Sequence, residues 1–240
     1  MKCFKNKVYP SENITTINFK NVGLKAFDLI LFKSVDGAGK LITSLEKAKF
    51  GESGGLFSHT GIIITTEVYS DKNMKDGELY IFESTASGRL GGNIYDINSN
   101  WFIGCQIRNF HDVLKSYTST PGNRVAFRKV LSNPLETWDI HKLRERFAFI
   151  IGKYNGKPYV VNIMELFSAL FPSLRIFRNK WETKNFIFCS ELVAIVYKEF
   201  NIIKDTCNPA NVVPSDFIIK DEDGDIDLNK FGDIIYLNAN

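Results

Sequence analysis

Ser58-His59-Thr60-Gly61-Ile62-Ile63-Ile64-Thr65-Thr66 is a β-branched run opened by a histidine, the composition of a strand. After a polar, hairpin-like loop around Asp71 to Gly77, Leu79-Tyr80-Ile81-Phe82-Glu83-Ser84-Thr85 reads as a second strand. Adjacent strands thus carry His59 and Glu83. A carboxylate in a strand interior is seldom buried without a partner, and an imidazole on the next strand supplies one.

Outward toward the N-terminus, Phe27-Asp28-Leu29-Ile30-Leu31-Phe32 is a short apolar run expected to be a buried strand, with a turn at Asp36-Gly37-Ala38-Gly39. Lys40 to Phe50 places Leu41, Leu45 and Ala48 on one helical face, and Gly51 to Gly55 breaks that helix. In the other direction, Ala86 to Gly104 is rich in Gly, Asn and Ser and reads as a loop. Cys105 to Phe110 and Arg124 to Val130 follow as strands. Glu136 to Ile151 has the spacing of an amphipathic helix closed by Gly152. Asn162 to Phe177 is apolar and helical in pattern up to Pro172, a core helix by preference and a cover for a cleft as the second reading. Cys189 to Phe200 is a helix that turns Leu192, Val193, Val196 and Phe200 inward, and Phe231 to Leu237 is a closing strand. The mixed order predicts an α+β fold. With no repeat, low-complexity tract or Pro-rich linker, residues 1–240 read as a single domain with an extended N-terminus and loop insertions.

Composition narrows the function classes. The 44% hydrophobic and 24% charged residues are ordinary for a globular chain. A net charge of +3, with Lys and Arg scattered among nearly as many acids, argues against nucleic acid as a partner. Cys3, Cys105, Cys189 and Cys207 lie far apart without a CxxC pair, which disfavours a zinc site and a disulfide framework and fits a reducing compartment. The N-terminus lacks the apolar stretch of a signal peptide, and no run reaches the roughly 18 apolar residues of a membrane span. A cytoplasmic location is the expectation, and the sequon Asn13-Ile14-Thr15 is taken as a chance match.

Cysteine becomes a strong nucleophile as the thiolate, which a helix N-terminus or a neighbouring imidazole stabilises. Cys189 follows Phe186-Ile187-Phe188 and opens a helix, so the free N–H groups of the first turn should point toward its sulfur. The same groups could hold an oxyanion during acyl transfer. Alone, a cysteine on an apolar run is ordinarily an inert buried thiol, and a lone histidine is ordinarily a satisfied polar residue. Their conjunction with Glu83 is the signal.

The pieces Phe27 to Phe32, Phe57-Ser58-His59-Thr60-Gly61-Ile62, Phe82-Glu83-Ser84-Thr85, Gly156-Lys157-Pro158-Tyr159, Phe188-Cys189-Ser190-Glu191-Leu192-Val193 and Val213-Pro214-Ser215-Asp216 occur in one order. In that order the chain resembles the circularly permuted NlpC-type papain-like proteins, YiiX/YebB-like, found in bacteria and in poxviruses and other large DNA viruses. In that family the histidine strand precedes the nucleophile helix, as here. The resemblance implies a permuted papain-like fold with a small, mostly antiparallel sheet packed against helices. It implies Cys189 as nucleophile at a helix N-terminus, His59 as general base and then acid, and Glu83 as the residue orienting the imidazole. Tyr159 and Ser190 border the substrate pocket in this reading, while Glu191 favours the helix N-terminus or makes a structural hydrogen bond. For a viral chain the location would be host cytoplasm or virion.

The expected activity is a cysteine hydrolase or acyltransferase acting on an amide or ester through a thioester, needing no metal or organic cofactor. Its substrate would be a small molecule, a lipid or a peptide, and peripheral membrane contact stays open. The alternative is a noncatalytic binding module that keeps the fold without turnover.

Overall fold

Every strand that read as a continuous apolar run rather than an alternating one is covered on both faces, and that arrangement sets the architecture. The computed structural model describes residues 16–18, 22–85, 103–159, 187–219 and 225–238. Its strands are β1 (Thr16–Asn18), β2 (Leu29–Lys33), β3 (His59–Ile64), β4 (Tyr80–Thr85), β5 (Gly104–Asn109), β6 (Arg124–Arg128) and β7 (Ile235–Asn238). They form one sheet in the order β1-β7-β6-β2-β3-β4-β5, antiparallel except where β1 pairs parallel with β7. This mostly antiparallel sheet packed against helices is the α+β architecture expected. Its helices are α1 (Gly37–Phe50), α2 (Phe110–Thr118), α3 (Pro134–Thr137), α4 (Ile140–Tyr154) and α5 (Cys189–Glu199).

The period of two along each strand divides the core. Leu29, Leu31, Ile62, Ile64 and Phe82 face α4 and α5, meeting Leu143, Phe147, Leu192, Val193 and Val196. Ile30, Phe32, Ile63, Ile81, Val125 and Phe127 face the opposite way onto Phe110, Val113 and Leu114 of α2. Tyr197 of α5 crosses the larger layer and donates its hydroxyl to the Phe27 carbonyl at 2.8 Å. Phe27 has a positive φ of 73°, which turns the chain into β2.

Several sequence expectations are corrected at element ends. Asp36-Gly37-Ala38-Gly39 is not a free turn: Asp36 caps α1, its carboxylate accepting from the Gly39 N–H at 2.6 Å, so the helix begins at Gly37. Gly51 does end that helix, at φ 72°. The helix assigned to Glu136 to Ile151 is two pieces, α3 and α4, because Asp139 starts α4 afresh by accepting from the Lys142 N–H. Gly152 lies inside α4, which runs to Tyr154 and is capped by Asn155. Helix α2 went unread: Asn109 ends β5 and at once caps α2 by accepting from Asp112, so Phe110 is helical. Only Ile235–Asn238 of the last apolar segment is strand, while Phe231 makes a single bridge to Val130. Residues 162–177, the sequon at Asn13 and nearly all of the loop at 86–104 lie outside the described residues.

Candidate active site

His59 opens β3, and strand register settles who stands beside it. Gly61 is opposite Glu83, and Ile81 is opposite Arg108. With side chains alternating, His59, Glu83 and Arg108 therefore share one face across three neighbouring strands. Gly61 keeps the row clear, since a Cβ there would come within 2.7 Å of the Ile81 side chain and 3.1 Å of the Glu83 Cβ. The Glu83 carboxylate is fully buried. One oxygen, Oε2, accepts from His59 Nε2 at 2.5 Å. The other, Oε1, accepts from Arg108 Nε at 2.8 Å and also from its Nη2.

Cys189 is the first residue of α5 and is 3% exposed. Its side chain lies near enough to the His59 ring and to the backbone N–H groups of Thr60 and Ser190 for all three to favour the thiolate. Because Nε2 is taken by Glu83, the remaining ring nitrogen, Nδ1, is the one left for sulfur. The segment entering α5 is tied down twice. Ser84 donates its hydroxyl to the Ile187 carbonyl at 2.6 Å, and Ser190 donates to the Val212 carbonyl at 2.7 Å. Glu191 takes the structural role expected of it, accepting from the Phe188 N–H at 3.4 Å.

Burial alone would push the Cys189 thiol up. The His59 imidazolium and the Thr60 and Ser190 N–H groups outweigh burial and hold it below the ordinary thiol value. Burial likewise works to lower His59, but the Cys189 thiolate and the Glu83 carboxylate prevail and raise it to about 9. Glu83 resists the upward push of burial because Arg108, and then His59, hold it down at about 2. For Cys105 the Ser84 hydroxyl and the charge of Lys157 do not offset burial, which pushes it up to about 12. The two buried cysteines thus differ in the direction of their shifts.

A small cavity of about 20 Å³ opens beside the sulfur, lined by Ile42, Ser58, Tyr159, Phe188, Ser190 and the Val212 to Pro214 turn with Cys189. That is room for one water. Tyr159 and Ser190 both border it. Tyr159 stands edge-on to Phe188, ring centroids 5.9 Å apart, whereas the Ser190 hydroxyl is consumed by Val212. Among the described residues no group of three or more His, Cys, Asp or Glu is placed to hold a metal ion.

Sequence reasoning missed Arg108 and Tyr117. Arg108, 2% exposed, was legible in principle as a cation in mid-strand two positions from Gln106. Reading Glu83 as satisfied by the imidazole alone left it unsought. Tyr117 of α2 sits against Phe32, which in turn packs on His59, with ring centroids 4.8 and 5.1 Å apart. Nothing in its local sequence marks it.

No protein-family model matches the chain, and no curated protein matches it. Among solved structures it is distantly similar to the metalloprotein YiiX from Escherichia coli O157:H7, described as DUF1105. The TM-score is 0.42 at 17% identity, over 78% of each chain. Among the described residues no helix is long and apolar enough to cross a membrane.

Proposed function

We propose that the protein is a cysteine hydrolase or acyltransferase of the circularly permuted NlpC-type papain-like group, acting on an amide or ester bond of a lipid, peptide or small-molecule substrate. The observation that carries this reading is a buried Cys189 at a helix N-terminus beside a His59 ring that Glu83 holds in place. The thiolate attacks the carbonyl carbon, forming a C–S bond while the carbonyl oxygen takes the negative charge. Backbone N–H groups of the first turn of α5 are the donors available to that oxyanion. As the oxyanion collapses, the C–N or C–O bond breaks and the His59 imidazolium gives its proton to the leaving amine or alkoxide. His59, now neutral, then takes a proton from water or from an acceptor hydroxyl or amine, which attacks the thioester. The acyl group leaves as acid or as transferred product, and the thiolate is regenerated. Glu83 keeps the ring oriented and favours its charged form throughout. Ile42, Phe188, Val212 and Pro214 give the small space beside the sulfur a largely apolar lining.

Initial rates on panels of lipid, peptide and muropeptide amides and esters test this, using wild type, Glu83→Gln, Glu83→Ala and Cys189→Ala. The expected ranking follows that order, because Gln still accepts a hydrogen bond, Ala does not, and loss of sulfur removes the covalent route. Cys189→Ser should lose nearly all turnover with little change in thermal unfolding. Wild-type activity in Cys189→Ala on a verified substrate would overturn the assignment. If Cys189 proves no more reactive toward iodoacetamide at pH 6 than an ordinary thiol, the protein is a binding module.

A further inference from the structure

The thiolate reading places a negative sulfur, a positive imidazole and a negative carboxylate in one buried row, a sum of minus one. Arg108 closes that sum. Its guanidinium is 2% exposed and donates to Glu83 Oε1 through Nε at 2.8 Å and through Nη2. A net buried charge is costly and is relieved by taking up or releasing a proton. With Arg108 present, Cys189 as thiolate, His59 as imidazolium, Glu83 as carboxylate and Arg108 as guanidinium total zero, so no proton need move.

We propose that Arg108 is a positioning residue which, by clamping Glu83 and balancing its charge, allows Cys189 to stay a thiolate in mildly acidic and neutral solution. The inference rests on the cysteine-nucleophile reading and assigns the site a fourth member. Arg108 touches neither sulfur nor substrate and acts through Glu83. Without it the buried row carries an extra negative charge, and the nearest relief is a proton on sulfur or on Glu83. Either proton removes the thiolate or the orienting carboxylate.

Other titratable groups face the site from the surrounding elements: Tyr117 of α2, Tyr159, Cys105 of β5 and Glu46 of α1. Burial pushes all four up, Glu46 to about 8, Cys105 to about 12, and Tyr117 and Tyr159 well above the ordinary tyrosine value. They stay neutral between pH 5 and 7, while Lys157 and Glu191 act on Cys105 and Asp36 acts on Tyr117, so among the described residues the charges in direct contact with Glu83 are those of His59 and Arg108.

The test is the rate of iodoacetamide alkylation of Cys189 against pH, followed by peptide mass spectrometry and needing no substrate. In Arg108→Met the acid limb of the profile should move up by about one pH unit or more. Glu83→Gln leaves the row at plus one and should move the limb down or leave it in place. The double variant Glu83→Gln with Arg108→Met is neutral again and should recover the low-pH reactivity lost in Arg108→Met. A merely structural arginine would lower the melting temperature without this opposite-sign pattern and without rescue. If wild type shows low-pH reactivity and the double variant is no more reactive than Arg108→Met, the role assigned to Arg108 is wrong. Should Arg108→Met not fold, an upward shift in Glu83→Gln would overturn it equally. A wild-type Cys189 with ordinary thiol reactivity would instead overturn the nucleophile reading, and this inference with it.

Discussion

In the proposed mechanism Cys189 and His59 exchange one proton between them, so their titrations belong to the pair and would bracket the working range. The alkaline edge is set by the imidazolium, which is lost as pH rises through about 9. Since that proton must reach the leaving group, kcat/KM should fall above this pH, and a plateau continuing to pH 10.5 would contradict the general-acid role. The same shift stabilises the fold. Because the folded value lies above the ordinary 6.5, its contribution is complete below 6.5 and disappears as pH rises through about 9. At this scale His59, Glu83 and Cys189 were readable from residue type and order. Arg108 was not, because a charge inside a strand names no partner until register is known.

Helix α1 carries another buried carboxylate, outside the row formed by His59, Glu83 and Arg108. Glu46 is fully buried, and its Oε2 accepts from the Ser215 hydroxyl at 2.6 Å, which fastens α1 to the turn forming one wall of the cavity. Burial raises its pKa from 4.5 to about 8. The folded state therefore holds a proton that the unfolded chain releases, so stability from this group is complete below 4.5 and declines as pH rises toward about 8. Glu46→Gln mimics the protonated form at every pH. Its melting temperature relative to wild type should increase from pH 5 to pH 9, and a constant difference would show that Glu46 is ionised in the fold. The sequence offered little warning, since a Glu three residues before Lys49 in an apparently amphipathic helix reads as a solvated side chain. What it did convey were elements whose two faces are both apolar, such as β2 and β3. Helix ends went astray where a cap, Asp36, Asn109 or Asp139, could be recognised only with its N–H partner in place.

Across the whole molecule the C-terminal segments are fastened to the sheet through Arg128 of β6. Its guanidinium donates to the carbonyls of Gly232 at 2.7 Å, Phe217 at 2.5 Å, Leu228 at 3.3 Å and Phe231 at 3.2 Å. Arg128→Met would fill similar space but strip these acceptors of their donor. A loss of about 3 kcal/mol or more is expected in urea unfolding, with Cys189 reactivity retained in the fraction still folded. A loss under about 1 kcal/mol would mean that water replaces the arginine.

The order of the strands has a consequence for the newly made chain. His59, Glu83 and Arg108 sit on β3, β4 and β5, which pair in sequence order, whereas Cys189 is translated 130 positions after His59. At about 5–20 residues per second, roughly ten seconds separate the two. The proton acceptor and its supports can assemble early, yet the thiol they activate arrives only with α5. Until α5 docks, the sulfur lacks the neighbours that hold it below the ordinary thiol value in the fold. On the proposed reading, chemical competence would arrive with the docking of α5, and a thiol-directed probe added during synthesis would report the moment at which that docking occurs.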